Sequence, residues 1–420
     1  MSKLLPNTND ITILNYPGSK KRLLPFISEV VGRYAKNGDT VMDIFAGTHS
    51  VGYYLKPRYS IIANDSEIYS YVIGKALIEN KRFLKFNDIQ AKFLADYNKN
   101  LHALRKYYPE VTKEEELIAT NQRSALLAFY DGFPNVWQKN YKKRRLPQGT
   151  FSLFTTYYSN SYFGLAQSME IDSIRAAIDK LEGKESFYYL LTALFFALKE
   201  CVFAKDGHMA QPLNKAKNLN RLLKTHKESV FERFMCKVKE FESRGQFSPS
   251  INTNKVFNLP LKQILEKDIL RIVDLIYADP PYTDMQYSRY FHLLETLVRY
   301  DYPKFALSHG KITTGLYRDN RFQSPLSQRS NAKRDIEQLI KRAAELGKKV
   351  IFSYAYPVDL KKQKSDRYTM SIDDLIGMYH AYYGKKHTIV EKQLFSHCNN
   401  RNSAPKKVYE YLIVGLPYAK

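Results

Sequence analysis

Apolar residues in this chain fall in short continuous runs that alternate with stretches of helical spacing. Thr40 to Phe45 (TVMDIF) has the length of a buried strand, AGTHS then supplies turn residues, and VGYYLK opens a helical pattern. Ser60 to Ala63 (SIIA) is a second such run, ending at Asn64-Asp65, and EIYSYVIGKALIEN after it repeats apolar residues at helical intervals. Strand, loop and helix in repeated order predict an α/β fold with a doubly wound, Rossmann-like sheet, whose ligands bind beyond the carboxyl ends of the strands.

The rhythm breaks from about residue 81 to 250. Helical stretches are predicted there near Glu114 to Tyr130 and Ser173 to Phe203, around an aromatic and basic middle. Strand-like runs resume with Ile272 to Ala278, Lys349 to Tyr354, Thr388 to Phe395 and Val408 to Leu416. The expected organisation is a core formed by residues 1–80 and 251–420, with a mostly helical lobe, 81–250, inserted into it; a chain of 420 residues is longer than one compact domain usually is. Lys304 to Arg334 is a polar, basic connection of a length that is usually functional or disordered.

Composition narrows the classes. No stretch approaches the roughly 18 apolar residues of a membrane span, and the N-terminus lacks the pattern of a secretory leader, so a cytoplasmic protein is expected. Cys201, Cys236 and Cys398 are scattered without a pairing or metal-ligand pattern and read as reduced thiols. The nine histidines are scattered as well, and no metal is expected. Against 42 acidic residues stand 65 Lys and Arg, a net charge of +23 that suits a polyanion, nucleic acid foremost. The 33 Tyr and 24 Phe would supply faces for unpaired bases, although most belong to the core.

The most informative segment is Asp279-Pro280-Pro281-Tyr282, directly after an apolar strand. Two prolines remove backbone donors and fix φ, so the chain leaves the strand in a stiff turn that holds an acid, a free carbonyl and an aromatic ring. Methylating an aromatic amine needs acceptors for its hydrogens, because the nitrogen lone pair is delocalised into the ring. It also needs a face for a base taken out of its stack. Asp279, the Pro280 carbonyl and Tyr282 offer these; the plain alternative is a strand-end turn.

With this turn the chain resembles the Dam-like, DPPY-type (class alpha) adenine-specific DNA methyltransferases over most of residues 11–420. Tyr16-Pro17-Gly18-Ser19-Lys20 is similar to the family's aromatic-x-Gly-x-Lys segment at the methyl donor. Asp43-Ile44-Phe45-Ala46-Gly47-Thr48 resembles its D-x-F-x-G-x-G loop, with His49 where the second glycine stands, so that a side chain is expected near the pocket or on the surface. Asp65 matches the acid on the ribose diol. Val256 to Pro260 falls where relatives often carry an acid for the donor's adenine, and Asn258 stands there instead. The resemblance implies S-adenosylmethionine as cofactor, double-stranded DNA as partner, flipping of the target adenine, and a restriction–modification or phage-defence setting with any endonuclease on a separate chain. A monomer is expected.

For DNA contacts the candidates are Lys142, Lys143, Arg144 and Arg145 in the inserted lobe, then Gln286, Tyr287 and Arg289 after the DPPY turn, and Arg318 and Arg321 in the long connection. A basic run is more often a phosphate clamp or a solvated face than a base reader. Three rivals stay open: an RNA adenine methyltransferase, a DNA cytosine amino-methyltransferase, and a non-catalytic DNA-binding subunit on the same fold.

Overall fold

A computed structural model describes residues 11–16, 18–80, 85–205, 208–244, 253–358, 368–397 and 406–418. Pro17 and Cys398, both singled out above, lie outside them. The main sheet contains β1 (Thr40–Asp43), β2 (Ser60–Asn64), β3 (Lys255–Phe257), β4 (Leu275–Ala278), β7 (Lys349–Pro357), β8 (Thr388–His397) and β9 (Lys406–Gly415) in the order β3-β2-β1-β4-β7-β9-β8. β5 (Leu307–Ser308) and β6 (Lys311–Ile312) form a separate two-stranded hairpin. Strands β3 to β7 of this row run parallel, and β9 joins antiparallel to both β7 and β8. The α/β, doubly wound expectation therefore holds.

The reason the central strands read as continuous apolar runs is that both sheet faces are covered. Val41, Ile61, Leu275, Tyr277, Ile351 and Leu412 pack on one side with helix Leu24–Tyr34. Their neighbours Met42, Ile62, Ile276, Ala278, Phe352 and Ile413 pack on the other with helices Arg329–Glu345 and Ile372–Tyr383. Successive side chains point to opposite faces, so each core receives every second residue. Ser371 starts the last of these helices by accepting from Asp374 N at 3.0 Å.

Between β2 and β3 the described chain is mainly helical. The predicted helix Glu114 to Tyr130 is two helices, Glu110–Ala119 and Arg123–Gly132, broken where Asn121 takes φ 60. Likewise Ser173 to Phe203 divides into Leu165–Asp179 and Glu185–Cys201 around Gly183 at φ 81. Helix Glu185–Cys201 is buried on most sides and packs against Leu165–Asp179, Val230–Ser243 and Ile68–Gly74, the last of which follows β2. One hydrophobic core thus joins these helices to the segment Phe291, Leu294 and Leu297 that follows the DPPY turn.

The connection after that turn is ordered structure. It contains the β5–β6 hairpin and a short turn of helix at Pro325–Ser327, and helix Arg329–Glu345 has begun before Arg334.

Candidate active site

Parallel strands leave their carboxyl ends side by side. Asp43 closes β1, Asn64 and Asp65 close β2, and Asp279 follows β4. From β1 the chain steps outward to β2 and β3 on one side and then returns to β4 on the other, and in a doubly wound sheet the ligand crevice opens at such a reversal. A cleft lies there, lined by Tyr16, Gly18, Lys20, Asp43, Phe45, Ala46, Gly47, Thr48, Asp65, Glu67, Tyr287 and all four residues of the DPPY turn.

The loop after β1 is pinned to its neighbours. Ile44 N donates to Tyr277 O at 3.1 Å and Ala46 N to Asn64 O at 2.9 Å. Gly47 N donates to Asp65 Oδ2 at 2.8 Å. Gly47 has φ 52, and a Cβ there would sit 3.1 Å from the Tyr16 ring, so glycine is what allows that ring to close on the loop. Tyr16 in turn stacks on Tyr287 and Phe291, with centroids at 4.8 and 5.5 Å.

Asp65 is held from behind. Its Oδ1 accepts from Glu67 N at 2.9 Å, and Asn258 Nδ2 donates to its carbonyl at 2.8 Å. Asn258 is not among the residues lining the cleft; its amide supports the Asp65 backbone instead. The Asn64 amide donates to Ile44 O and Leu259 O, and its oxygen accepts from Leu259 N, tying three strand ends together.

His49 departs from expectation. It adopts φ 60, the left-handed conformation that glycine takes most easily, yet its side chain is fully buried. Nε2 donates to Ser70 O at 2.8 Å, and the ring fits because Gly74 has no Cβ, which would fall 2.5 Å from His49 Cε1. Burial lowers its pKa to about 4, so the ring is neutral. It points neither to the surface nor into the cleft.

Asp279 lies 3.0 Å from Lys20 Nζ, and the same ammonium lies 2.9 Å from Glu410 Oε1, which also accepts from Ser353 Oγ at 2.6 Å. Burial alone would lower the Lys20 pKa, but the two carboxylates more than offset it and hold the ammonium charged. Burial pushes the Asp279 carboxyl upward, opposed by Lys20 and assisted by the charge of Glu410. Tyr282 is fixed by a near-parallel Tyr368 at 6.1 Å, an edge contact with Tyr354 at 5.7 Å and Thr369 N, which donates to its carbonyl at 3.0 Å.

The cleft is rich in acid. Burial, then the charges of Asp279 and Asp65, drives the Asp43 carboxyl well above the usual range. Asp65 is raised by burial against its backbone hydrogen bonds, and Glu67 by burial and by Asp65. Sequence reasoning missed Glu67 and Glu410. Glu410 carried a readable signal, since strand alternation puts it on the same face as Val408 and Leu412, both buried.

Tyr287 lines the cleft, whereas Gln286 exchanges hydrogen bonds with the Ser324 backbone. Arg289 and Arg321 both lie over the Tyr317 ring, each 5.6 Å from its centroid. Arg318 is held by Asp301 and Glu295, and Arg144 by Glu110 and the Tyr107 carbonyl. Lys142, Lys143 and Arg145 are exposed. Among the described residues no group of three or more His, Cys, Asp or Glu has a metal-holding arrangement, and no helix is long and apolar enough to cross a membrane.

Comparison with known proteins adds a family. The sequence model of the D12 class N6 adenine-specific DNA methyltransferases matches residues 16–354. The chain is 26% identical over 337 residues to the modification methylase LlaI of Lactococcus lactis subsp. lactis, covering 78% of this chain and 44% of that protein. It is 26% identical to the type II methyltransferase M.FokI of Planomicrobium okeanokoites, with 79% and 43% covered. With the type II methyltransferase M.NlaIII of Neisseria lactamica it shares 25% identity over 69% of this chain and 70% of that one. The chain spans less than half the length of the first two.

Proposed function

Because the chain belongs to the D12 class N6 adenine-specific DNA methyltransferase family, we propose that it transfers a methyl group from S-adenosylmethionine to the exocyclic amino group of an adenine flipped out of duplex DNA. The observation that carries this reading is the placement of Asp279, half-buried just after β4, gripped by Lys20, and facing the same cleft as Asp43, the Phe45–Thr48 loop and Asp65.

The cleft fits a cationic donor. Asp43, Asp65 and Glu67 place three carboxyl groups in a site whose ammonium, Lys20, is already committed to Asp279 and Glu410; burial and mutual repulsion raise their pKa values, and a bound cation would favour their ionised forms. Asp65 would hold the ribose diol, the glycine at position 47 would allow close approach, and Tyr16 and Phe45 would flank the adenine moiety. Pro17, Gly18, Lys20, Ala46 and Thr48 belong to the donor set expected from the sequence, and Asn258, expected there too, would act through the Asp65 backbone that it supports. When bound, S-adenosylmethionine supplies an electrophilic methyl group attached to a sulfonium.

The chain's own groups prepare the amine. Asp279 and the Pro280 carbonyl accept its hydrogens, which returns electron density to the nitrogen, and Tyr282 stacks on the base. Lys20, charged and buried, fixes the Asp279 carboxylate in one orientation. Pro281 stiffens the turn that carries all three. The raised pKa of Asp279 suits it to take the proton that the methylated nitrogen must lose.

Residues 1–80 and 251–420 would form the catalytic unit, and 81–250 the lobe that positions DNA. The named relatives include modification methylases, which supports a restriction–modification setting; a separately encoded endonuclease, a monomeric enzyme and a cytoplasmic location belong to the same proposal. Incubating the purified chain with unmethylated DNA and isotopically labelled donor, then analysing the nucleosides by mass spectrometry, tests the reading. Label in N6-methyldeoxyadenosine is expected. Label in N4-methyldeoxycytidine, or only in RNA, would replace the substrate, and none in a folded, donor-binding chain would replace the activity.

A further inference from the structure

A second hollow, of 410 Å³, lies in the helical lobe and shares no lining residue with the cleft. Its walls come from the turn after helix Arg123–Gly132, from Asn160, from Lys215, and from Thr313 beyond the β5–β6 hairpin. Its size falls within the range of sites for small organic groups.

Three features of its wall point to a ligand. Asn135 is 1% exposed; its Nδ2 donates to Ser159 Oγ at 3.1 Å, while its Oδ1 finds no donor among the described residues. A buried acceptor left without a donor is costly to the fold and is rarely kept without use. Lys215 donates to both oxygens of Asn160, at 3.0 Å for the carbonyl, and feels the charge of Asp131 on the same wall; among the described residues no salt bridge joins the two, so one of its three N–H groups is left to offer. Trp137, the chain's one tryptophan, is half-buried on the same wall, with its ring edge-on to Phe305 at 5.8 Å.

A buried acceptor, a cation and an indole together complement a nucleotide, which carries N–H donors on its base, whether ring imino or exocyclic amino, an anionic phosphate and a π face. Groove reading of base edges uses side chains that project from the protein. A hollow instead receives something that projects from the DNA. We propose that this hollow takes one nucleotide of the substrate strand, turned out of the duplex at a position other than the target adenine. This rests on the DNA-methylating function proposed above. The site is joined to the catalytic segment by a short relay. Tyr162 donates to Gly315 O at 2.9 Å, next to the rim residue Leu316, and lies 3.2 Å from Nε2 of His292, which opens the helix after Tyr287.

Trp137 makes the site observable. Short duplex fragments of unmethylated plasmid DNA, added without methyl donor, should quench its fluorescence saturably and shield it from acrylamide. Lys215→Met should weaken that response on the order of tenfold, as loss of one charged hydrogen bond implies. If the variant does not fold, shielding in the wild type still decides. Quenching by a mixture of the four deoxynucleoside monophosphates but not by duplex would overturn the proposal in favour of a free-nucleotide site. A silent Trp137 on DNA that is bound and methylated would overturn it while leaving the enzymatic function in place. DNA neither bound nor methylated would remove both.

Discussion

Lys20 bonds to Glu410 at 2.9 Å across 390 positions of sequence, and the pair sits directly behind Asp279. The N-terminal segment and the last strand of the sheet are thereby fastened to the turn proposed to hold the target amine. Removing one partner of a buried charge pair leaves the other uncompensated, at a cost of about 3–5 kcal/mol. Lys20→Met, which strands both Asp279 and Glu410, is expected to lose stability of that order in chemical denaturation. Glu410→Gln keeps the Lys20–Asp279 contact and should cost distinctly less.

The rate should depend on pH through Asp279. Its folded pKa lies above the ordinary carboxylate value of about 3.9, chiefly through burial. The acceptor role needs the ionised form, so activity falls as pH drops through the raised value, and the acid limb of the profile sits above the range of a free carboxylate. The charge of Glu410 contributes to that elevation, so Glu410→Gln should move the limb to lower pH. Stability responds oppositely: the native carboxyl binds its proton before the unfolded one, and the penalty of burying its charge disappears as pH falls through this window. Rate profiles of wild type and variant, measured alongside thermal unfolding, check both signs.

His49 and Gly74 should behave as a coupled pair. A methyl at position 74 would collide with the imidazole and with Val256, so Gly74→Ala is expected to cost about 1–3 kcal/mol through overpacking. His49→Gly empties the slot and also suits the left-handed backbone. Combined with Gly74→Ala it should recover part of the loss, and a double-mutant cycle measured by denaturation would show the coupling. Additive effects would mean that the ring does not occupy this slot.

The arginines and lysines divide into two groups with different expected effects on DNA binding. Lys142, Lys143 and Arg145 are exposed, and each that contacts phosphate should reduce the slope of log affinity against log salt by about 0.9 when changed to alanine. Arg318, committed to Asp301 and Glu295, should affect folding of the long connection and leave the salt slope unchanged. Titrations at several salt concentrations separate the two.

The central strands were legible because burial on both sheet faces forces unbroken apolar runs, and the DPPY turn because proline, acid and aromatic ring are adjacent in sequence. β3 escaped notice: it is three residues long, Lys255–Phe257, and only Val256 of the three is buried. The two long predicted helices concealed breaks at Asn121 and Gly183, since periodicity continues across a turn that preserves the buried face. The inward face of Glu410 was readable from strand alternation, but its partner was hidden by distance, because nothing in local sequence says that the last strand returns next to β7 to meet a lysine from the N-terminus. Lys20 was assigned to the donor by resemblance, and its grip on Asp279 became visible only with the chain folded.

The most direct test of the central claim is a base-resolution map of modified adenines in DNA from a methylation-free bacterial host expressing this chain or its Asp279→Ala variant. Both proteins should accumulate and bind donor. The wild type should place N6-methyladenine at one recurring sequence, and the variant should leave the same sites unmodified. Modification that persists in Asp279→Ala, or its absence from wild-type DNA despite a folded protein that binds donor and DNA, would contradict the role given to Asp279.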